Sequence, residues 1–504
     1  MARSHHIDSL NIVMAASEAV PYVKTGGLAD VAGALPVELA KMGHTVTLIV
    51  PRYRGFQTDG RSLRELGTIH VRTAKGLVDA TLEEDLIPVG GAGRSIRVVA
   101  VRYDPYFDRA GLYQGPDGDF SDNLARFAFF SHAIVEVIAF LGSRRREPIS
   151  VLHLHDWQTA LAAVYLKTTE RDRAILRDVR TLLTLHNVGY QGIFPGPQFS
   201  ETGLPSDLFT PAGLEFYGSV NLLKGGILFA DKVSTVSPTY AKEILTPDGG
   251  FGLEGVLAGR RDGVVGIING IDMGSWNPET DSHLAANYSR VDLSGKAVCK
   301  KALQLELGLP TRDVPLIGVI GRLTSQKGFD LLAEILPELM AVGVQIAILG
   351  TGDRILEDRF QALKERYPPQ IAVSLKFDEG RAHRIEAGAD MLVMPSRYEP
   401  CGLTQLYSLR YGTIPIVRKT GGLADTVVPY RPSTALAGHA TGFQFEGVSA
   451  DSLLATILLT LKVYADREVW ASIQQAGMRV DYSWECSAKR YVEVYGKLSG
   501  GEMA

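Results

Sequence analysis

The 504-residue sequence has few cysteines and no excess of positive charge. Its three cysteines, Cys299, Cys401 and Cys486, are odd in number and far apart. They argue against a disulfide framework and indicate a reducing compartment. A formal net charge of −4 gives no basic field, so nucleic acid is not expected as a partner.

Long hydrophobic runs are also missing. The first residues lack a basic region followed by a long apolar run, so no secretory signal is expected. The most apolar helical segment, residues 124–140, carries Arg126, His132 and Glu136. A membrane span needs about 20 nearly uninterrupted apolar residues, so this segment is predicted to be a core helix. The sequence predicts a cytoplasmic protein without a membrane partner.

Neither G-x-G-x-x-G nor a Walker loop is present, which disfavours a tandem-Rossmann oxidoreductase. The segment KTGGLAD, however, occurs twice, at residues 24–30 and 419–425. In the first copy Gly26 and Gly27 precede a helical pattern, so their amides could hold a phosphate with Lys24 as a nearby cation. The alternative is that the glycines permit close helix–strand packing and that the lysine is solvated.

Short runs rich in Val, Ile and Leu alternate with helical patterns along the whole chain. The strand candidates are NIVMAA, TVTLIV, IRVVAVRY, SVLHLH, TLLTLH and KVSTVS in the first half, and PLIGVIG, VQIAILG, AVSLKF, DMLVMP, IPIVR and FQF in the second. Runs that are apolar on both faces predict parallel sheets covered by helices. Two successive series predict an α/β fold with two doubly wound domains. The expected domains are residues 1–268, joined by a C-terminal helix at 482–504, and residues 269–481.

Polar residues follow two predicted strands of the first half. His155 and Asp156 come at the end of SVLHLH, and His186 and Asn187 at the end of TLLTLH. Because ligands bind beyond the carboxyl ends of parallel strands, these residues are expected on one rim of the first sheet.

Two groups in this half contain metal-ligand residue types. They are His153 with His155 on one strand face, and the loop with Asp117, Asp119 and Asp122. The histidines have no third ligand at a recognisable spacing, and the loop lacks the Gly and Glu positions of a calcium loop. No metal is therefore predicted.

The second half offers cations and a carboxylate after strands. Arg322 and Lys327 precede a helix, where they could neutralise a diphosphate. Glu399 lies before a second helix start, and the amides of residues 402–404 are predicted to point at an anion. The alternative is that Glu399 is a capping carboxylate. Cys401 has no histidine partner in sequence, so it is interpreted as a packing residue and not a nucleophile.

Eight motifs together resemble the bacterial glycogen synthases, also called starch synthases, of glycosyltransferase family 5. In chain order they are KTGGLADV, HDWQT, LHNVGYQG, VSPTYAKEI, NGID, GRLTSQKG, PSRYEPCGLTQLYSLRYG and KTGGLADTV, and the resemblance runs from about residue 10 to about residue 497. It implies the GT-B fold, with two facing Rossmann-like domains and an interdomain cleft. The N-terminal domain would be the acceptor side, and the C-terminal domain would bind the nucleotide-sugar.

The resemblance implies a hexosyltransferase. The enzyme would transfer glucose from ADP-glucose to the non-reducing end of glycogen or another α-1,4-glucan, with retention at the anomeric carbon and release of ADP. No metal or organic cofactor is implied.

The resemblance also assigns residues by position. At the reacting centre it implies Asp156 facing the glucose, His186, Glu399 on the glucosyl hydroxyls, and Arg322 and Lys327 on the diphosphate. The implied substrate-binding residues are Lys24, Gly27, Asp30, Asn187, Asn269, Phe377, Cys401, Gly402, Leu403 and Thr404.

Three positions depart from the family pattern. Lys376 and Phe377 stand where the family often has Gly followed by an aromatic residue, so the local loop geometry is in question. Gln158 stands where a histidine is frequent. Tyr407 takes the place of a second Glu found in the wider retaining superfamily, as in the glycogen synthase branch, so Glu399 is alone there.

Two alternative functions share these features. One is a retaining transferase that uses UDP-glucose. The other is a non-catalytic nucleotide or glucan sensor, which Lys24, His186, Arg322, Lys327 and Glu399 argue against because a sensor has no need of reacting-centre residues. A PLP-dependent glucan phosphorylase is disfavoured because its cofactor motif is missing.

Overall fold

The computed structural model describes residues 9–90, 93–145, 148–376 and 378–500. The chain divides into two compact units. Unit 1 comprises residues 1–236, 241–267 and 484–504, and unit 2 comprises residues 237–240 and 268–483.

Every apolar run that the sequence analysis assigned to a strand forms one. The strands are β1 (Asn11–Ala15), β2 (Thr45–Pro51), β3 (Arg64–Thr73), β4 (Gly76–Val89), β5 (Arg94–Arg102), β6 (Gln114–Gly115), β7 (Gly118–Asp119), β8 (Val151–His155), β9 (Arg180–Leu185), β10 (Ile193–Pro195), β11 (Glu215–Phe216), β12 (Ser219–Asn221), β13 (Lys232–Thr235), β14 (Val264–Gly266), β15 (Leu316–Ile320), β16 (Gln345–Leu349), β17 (Ile371–Ser374), β18 (Met391–Met394), β19 (Ile414–Arg418) and β20 (Phe443–Phe445).

Helices separate most of these strands, as the alternating pattern predicts. They are α1 (Gly27–Lys41), α2 (Asp104–Phe107), α3 (Asn123–Arg145), α4 (Trp157–Lys167), α5 (Leu222–Phe229), α6 (Pro238–Glu243), α7 (Pro247–Gly250), α8 (Glu254–Ala258), α9 (Ser294–Glu306), α10 (Phe329–Ala341), α11 (Arg354–Arg366), α12 (Glu379–Gly388), α13 (Thr404–Arg410), α14 (Gly421–Thr426), α15 (Pro432–Leu436), α16 (Ala450–Tyr464), α17 (Arg467–Arg479) and α18 (Trp484–Ser499). Short 3-10 turns lie at Ala174–Leu176, Gly196–Thr202, Ser206–Leu208 and Ser325–Lys327.

The main sheet of unit 1 has the order β14-β13-β9-β8-β1-β2-β5-β4-β3. The strands from β14 to β5 pair in parallel. The chain runs outward from β1 in both directions, so the strand order reverses between β1 and β8. In open parallel sheets such a reversal opens a crevice beyond the carboxyl ends of the strands, where ligands bind.

One edge of this sheet is antiparallel, which the sequence analysis did not predict. β3 pairs with β4, and β4 with β5, both in antiparallel register. Exposure along β3 is high for most residues, and only Ile69 and Val71 are buried. An edge strand with one solvated face lacks the continuous apolar run that marks a buried parallel strand.

The apolar helix α3 lies in the core of unit 1. Among the described residues it alone is long and apolar enough to cross a membrane, but 83% of its 18-residue apolar window is buried inside the protein. Its Arg126 has no exposed surface and donates to the backbone oxygen of Tyr106 and to Asn123 Oδ1. A buried, hydrogen-bonded arginine and extensive burial are what the core-helix interpretation predicts.

The last helix, α18, also belongs to unit 1. Its Trp484, Ala488, Tyr491 and Tyr495 are buried in one apolar cluster with residues of β1 and α1. The last helix therefore stabilises the sheet that the first strands of the chain form.

The sheet of unit 2 has the order β17-β16-β15-β18-β19-β20 and is parallel throughout. Numbered within the unit this is 3-2-1-4-5-6, the order of Rossmann dinucleotide-binding folds. Its strand order reverses between β15 and β18. The predicted α/β fold class with two doubly wound parallel sheets is confirmed.

Candidate active site

The reversal point of the unit 1 sheet brings together the segments that follow β1, β8 and β9. These strands are neighbours in the sheet, and His155 at the end of β8 lies opposite Thr184 of β9. Asp156 directly follows β8, and His186 directly follows β9. The two residues are therefore close in space, as the sequence analysis expected.

Asp156 has a strained backbone and a fully engaged carboxylate. Its φ of 56° and ψ of −173° are unfavourable for a residue with a Cβ, at a cost of about 1–3 kcal/mol. Asp156 Oδ1 accepts the backbone N–H of His186 at 2.7 Å, and the carboxylate also accepts the backbone N–H of Asn187. Desolvation raises the pKa of Asp156 to about 7, although both amide bonds oppose the shift. Asp156 thus fixes the backbone that carries His186 and Asn187.

Three imidazoles lie side by side behind this loop. His155 Nδ1 and His186 Nε2 are 2.9 Å apart. His153 Nδ1 bonds to Tyr495 Oη at 2.7 Å, and its Nε2 bonds to Thr184 Oγ1 at 2.6 Å. Burial lowers the pKa of His186 to about 3 and the pKa values of His153 and His155 well below the usual imidazole range. All three rings are therefore neutral near pH 7.

The first KTGGLAD copy lies at the start of α1. Lys24 Nζ and Asp30 Oδ1 form an ion pair of 2.7 Å, and the lysine side chain is 41% exposed. Gly27 is the first residue of the helix, and Gly26 is its N-cap. Two predicted substrate residues, Lys24 and Asp30, are thus paired with each other.

The sequence analysis missed Glu18, whose carboxylate binds the loop before α1. Glu18 accepts from the backbone N–H groups of Thr25 and Gly26, from Thr25 Oγ1 and from Tyr113 Oη. The residue is 4% exposed, and desolvation raises the pKa of Glu18 despite these hydrogen bonds. The amides of Thr25 and Gly26 are therefore engaged by an internal carboxylate. No spacing rule in the sequence signals this contact.

In unit 2, two predicted residues meet beyond the reversal point. Lys327 Nζ and Glu399 Oε2 are 2.5 Å apart, and Ser396 Oγ donates to the same oxygen at 2.9 Å. Glu399 is only 6% exposed. Arg322 follows β15, is exposed, and forms no ion pair within the described part of the chain.

The loop from Glu399 to Thr404 is fixed from two sides. The backbone N–H of Asn269 donates to the sulfur of Cys401, and burial raises the pKa of the Cys401 thiol to about 12. Gln405 Nε2 donates to the carbonyl oxygens of Cys401 and Gly402. A protonated thiol at neutral pH agrees with a packing role for Cys401.

Gly402 and Leu403 complete the turn before α13. Gly402 has a φ of 73°, a conformation that favours glycine, and Leu403 is the N-cap of the helix that begins at Thr404. Asn269 is buried, and its side-chain Oδ1 has no hydrogen-bond partner among the residues that the structure describes. Phe377, one of the implied substrate-binding residues, lies outside the described residues.

The second KTGGLAD copy packs on this loop. A Cβ on Gly421 would lie 2.0 Å from the carbonyl oxygen of Glu399, and one on Gly422 would lie 2.0 Å from that of Cys401. The backbone N–H of Gly422 donates to the carbonyl oxygens of Glu399 and Pro400. Lys419 pairs instead with the exposed Glu446 at 2.7 Å.

Two of the departing positions take packing roles. Tyr407 stacks on Trp276 with ring centroids 3.7 Å apart, and Trp276 stacks on His383 at the same distance. Gln158 is buried on α4. An aromatic ring therefore fills the position of the second superfamily carboxylate.

Within the described ranges, His132, Glu136 and Glu170 form a group that could hold a metal ion. Arg173 already pairs with Glu136 at 2.6 Å and with Glu170 at 3.1 Å. This guanidinium supplies the countercharge that a cation would otherwise supply.

Comparison with known proteins agrees with this architecture. The family model described as "Starch synthase catalytic domain" matches residues 11–259, and "Glycosyl transferases group 1" matches residues 308–475. A glycogen synthase of Koribacter versatilis is 44% identical over 97% of this chain and 98% of that protein. A glycogen synthase of Syntrophotalea carbinolica is also 44% identical, over 97% of this chain and 99% of that protein. The chain belongs to the glycogen synthase family.

Solved structures give the same result. The catalytic domain of starch synthase IV from Arabidopsis thaliana, bound to ADP and acarbose, has a TM-score of 0.88 and 33% identity over 98% of this chain and 100% of that chain. A sucrose-phosphate synthase from Thermosynechococcus elongatus has a TM-score of 0.59 at 16% identity over 98% of this chain and 100% of that chain, which shows a shared fold only. The resemblance, the GT-B fold class and the glycogen or starch synthase function predicted from the sequence are confirmed, and the chain is a hexosyltransferase.

Proposed function

We propose that this synthase transfers glucose from ADP-glucose to the non-reducing end of an α-1,4-glucan such as glycogen, with retention and with release of ADP. The related starch synthase IV was solved with ADP and acarbose, which supports an adenine nucleotide as the leaving group here. The sparse cysteines support a cytoplasmic location.

The observation that carries the donor assignment is the 2.5 Å pair of Lys327 and Glu399 beyond β15 and β18. Breaking a glycosyl–phosphate bond develops negative charge on the departing diphosphate. Lys327 and the exposed Arg322 would stabilise that charge as it develops. Because such cations are already in position, they lower the barrier without having to move during the reaction. Glu399 would bind glucosyl hydroxyls through its second carboxylate oxygen.

The remaining unit 2 residues would shape the donor pocket. Cys401, Gly402, Leu403 and Thr404 would line the sugar and phosphate groups, and Asn269 would contribute to the sugar contacts. Phe377 would stack on the adenine. The tight turn at Gly402 and the bonds from Gln405 support this role, because they hold the loop in a single conformation.

Unit 1 would supply the groups around the transferred glucose. Asp156 would hold the loop that presents His186 and Asn187 to the sugar. Lys24 would contact the donor, with Gly27 and Asp30 near its sugar–phosphate part. The exposed ammonium of Lys24 and its 2.7 Å bond to Asp30 support a poised cation.

The test is transfer of labelled glucose from ADP-glucose onto glycogen, without added divalent metal and with a chelator present. We expect incorporation, α-1,4 linkages in the product, and much slower incorporation from UDP-glucose. No incorporation, or a metal requirement that chelation abolishes, would overturn the proposal. Faster transfer from UDP-glucose would establish the UDP-glucose transferase instead.

A matched pair of variants tests the carboxylate. Glu399→Gln removes the buried partner of Lys327, whereas Glu446→Gln removes the exposed partner of Lys419. We expect the first to lower kcat by at least about 10²-fold, the size of losing one preorganised group, and the second to leave kcat unchanged. Equal rates in the two variants would contradict the assignment of Glu399.

A further inference from the structure

The three imidazoles of unit 1 are connected unequally. His153 has a hydrogen-bond partner on each ring nitrogen, Tyr495 on one side and Thr184 on the other. His155 has a partner only at Nδ1, which lies 2.9 Å from His186 Nε2. Its Nε2 is buried and has no hydrogen-bond partner within the described residues, and the side chain has no exposed surface.

The bond between His155 and His186 allows two arrangements of protons. Both rings are neutral near pH 7, so each carries one ring proton, and the bond needs one donor and one acceptor. Either His155 Nδ1–H donates to His186 Nε2, or His186 Nε2–H donates to His155 Nδ1. The second arrangement places the proton of His155 on its buried Nε2.

The unpaired nitrogen of His155 decides between these arrangements. A buried N–H without an acceptor costs about 1–3 kcal/mol. Orphaned buried N–H groups are rarer in proteins than acceptors with an unused lone pair. The proton of His155 is therefore on Nδ1, and Nε2 carries only a lone pair.

We propose that His155 is a positioning residue that holds His186 as its Nδ1–H tautomer, so that His186 donates a hydrogen bond to a substrate hydroxyl. His186 Nε2 is occupied by His155, and Nδ1 is the ring nitrogen left for the substrate. Asp156 fixes the backbone of His186 and His155 fixes its ring, so the direction and the polarity of this bond are set before substrate arrives. The inference rests on the proposed role of His186 at the reacting centre.

The direct test is 15N NMR of the unliganded wild-type enzyme labelled at histidine, with the His186 signals assigned by their loss in His186→Gln. We expect a protonated Nδ1 and an unprotonated Nε2 for His186 near pH 7. The reverse pattern, or a mixture of the two tautomers, would overturn the inference whether or not the enzyme is active. Lack of glucosyl transfer by the wild type would instead count against the proposed function.

Substitutions at His155 add a kinetic test. His155→Asn places an amide N–H near the position of imidazole Nδ1, whereas His155→Gln places it near Nε2 and removes the donor to His186. We expect kcat of the Gln variant to fall by about tenfold or more. The decrease should stay smaller than the 10²–10³-fold loss that follows complete removal of a donor. The Asn variant should recover most of that loss, and KM for the donor should change less than about twofold in both.

A control separates positioning from general damage to the core. His153→Gln replaces a neighbouring imidazole that is equally buried but does not bond to His186. It should lower the thermal midpoint at least as much as His155→Gln while retaining a higher kcat and the Nδ1–H signature of His186. If kcat simply follows the thermal midpoint across all three variants, His155 has only a structural role.

Discussion

In unit 1, residues 16–23 separate the end of β1 from Lys24, whereas in unit 2 Lys419 directly follows β19. The first copy of KTGGLAD begins a 15-residue helix, and the second begins a six-residue helix. Around the first copy, the carboxylate of Glu18, eight residues before Gly26, binds the loop amides. Around the second copy, the glycines themselves lie against the backbone of the Glu399 loop. The same seven-residue sequence thus makes different contacts in the two units, with a carboxylate in unit 1 and with backbone carbonyl groups in unit 2.

The difference shows that the two copies do not need glycine for the same reason. A Cβ on Gly26 would meet nothing nearer than a Glu18 carboxylate oxygen at 4.0 Å, so the first copy leaves room beside its backbone. Gly421 and Gly422 have no such room. The glycines of the second copy are therefore required for packing against the Glu399 loop, whereas the space beside Gly26 would accept a methyl group.

The largest expected effect follows from this contrast. Gly422→Ala would force a methyl group to within 2.0 Å of the Cys401 carbonyl oxygen, so the loop with Glu399 must shift. We expect a loss of about 3 kcal/mol in unfolding free energy, at the upper end of overpacking costs, and loss of measurable transfer activity. The matched control is Gly26→Ala, whose φ of −155° suits alanine and which should cost less than about 1 kcal/mol. Similar denaturation curves for the two variants would remove the distinction.

The next effect concerns the two lysines. Lys24→Gln should lower kcat/KM for the donor by a factor of about 10 to 100. This loss corresponds to the free energy of one hydrogen bond to a charged group. Lys419→Gln should change either constant by less than about twofold, because Lys419 pairs with a glutamate that is 76% exposed. Equal losses in steady-state kinetics would show that the two copies contribute alike.

The pH dependence of kcat should come from a group in unit 1. The pKa of Asp156 is raised from 3.8 to about 7, and only the ionised carboxylate accepts both loop amides at full strength. We expect kcat to fall by up to about tenfold per pH unit below pH 7, while His186, with a pKa of about 3, stays neutral. A raised carboxyl pKa stabilises the folded state fully below about pH 4, and that contribution is lost as pH rises toward 7.

Asp156→Asn checks both parts of this prediction. The acid limb of the kcat profile should flatten, and the thermal midpoint should depend less on pH between 4 and 7. Glu18, whose pKa is also raised, is the charged neighbour that contributes to the Asp156 shift, so Glu18→Gln is measured in parallel. An unchanged acid limb in Asp156→Asn would assign the titration to another group.

The smallest expected effect is at Glu18 itself. Glu18→Gln keeps one carbonyl oxygen for the loop amides but loses the charge and the second acceptor. We expect about 1–2 kcal/mol of lost stability and a decrease of a few-fold in activity, since Lys24 is held less firmly. At the second copy, the backbone N–H of Gly422 donates to the carbonyl oxygens of Glu399 and Pro400. A loss larger than that of Lys24→Gln would mean that Glu18 acts on substrate directly.

Much of the fold could be predicted because its signals are local. Runs that are apolar on both faces, such as NIVMAA and PLIGVIG, mark buried parallel strands wherever they occur. The antiparallel β3–β4 edge was missed because its strands are largely exposed and carry no such run. The residues directly after β8, β9 and β15 were predictable for a related reason, since parallel topology places strand ends on one rim.

The contacts that define the candidate site were less predictable. Glu18 meets the Gly26 amide across eight residues, but Lys327 meets Glu399 across 72, and His153 meets Tyr495 across 342. Propensity and periodicity describe neighbours along the chain and say nothing of such distant partners. The interpretation of the first glycine pair as a phosphate-binding turn did not include the contact with Glu18 and stays a prediction.

The sequence by itself determined the buried parallel strands, the residues at their ends and the family, because these depend on local pattern and on motif order. Only the tertiary structure decided that Gly26 of the first copy has room for a side chain, whereas Gly421 and Gly422 of the second pack against carbonyl oxygens. It also decided which nitrogen of His186 faces His155. Both depend on contacts that folding makes between residues separated along the chain, His155 with His186 at 2.9 Å and the Gly422 N–H with the Glu399 carbonyl oxygen at 3.1 Å.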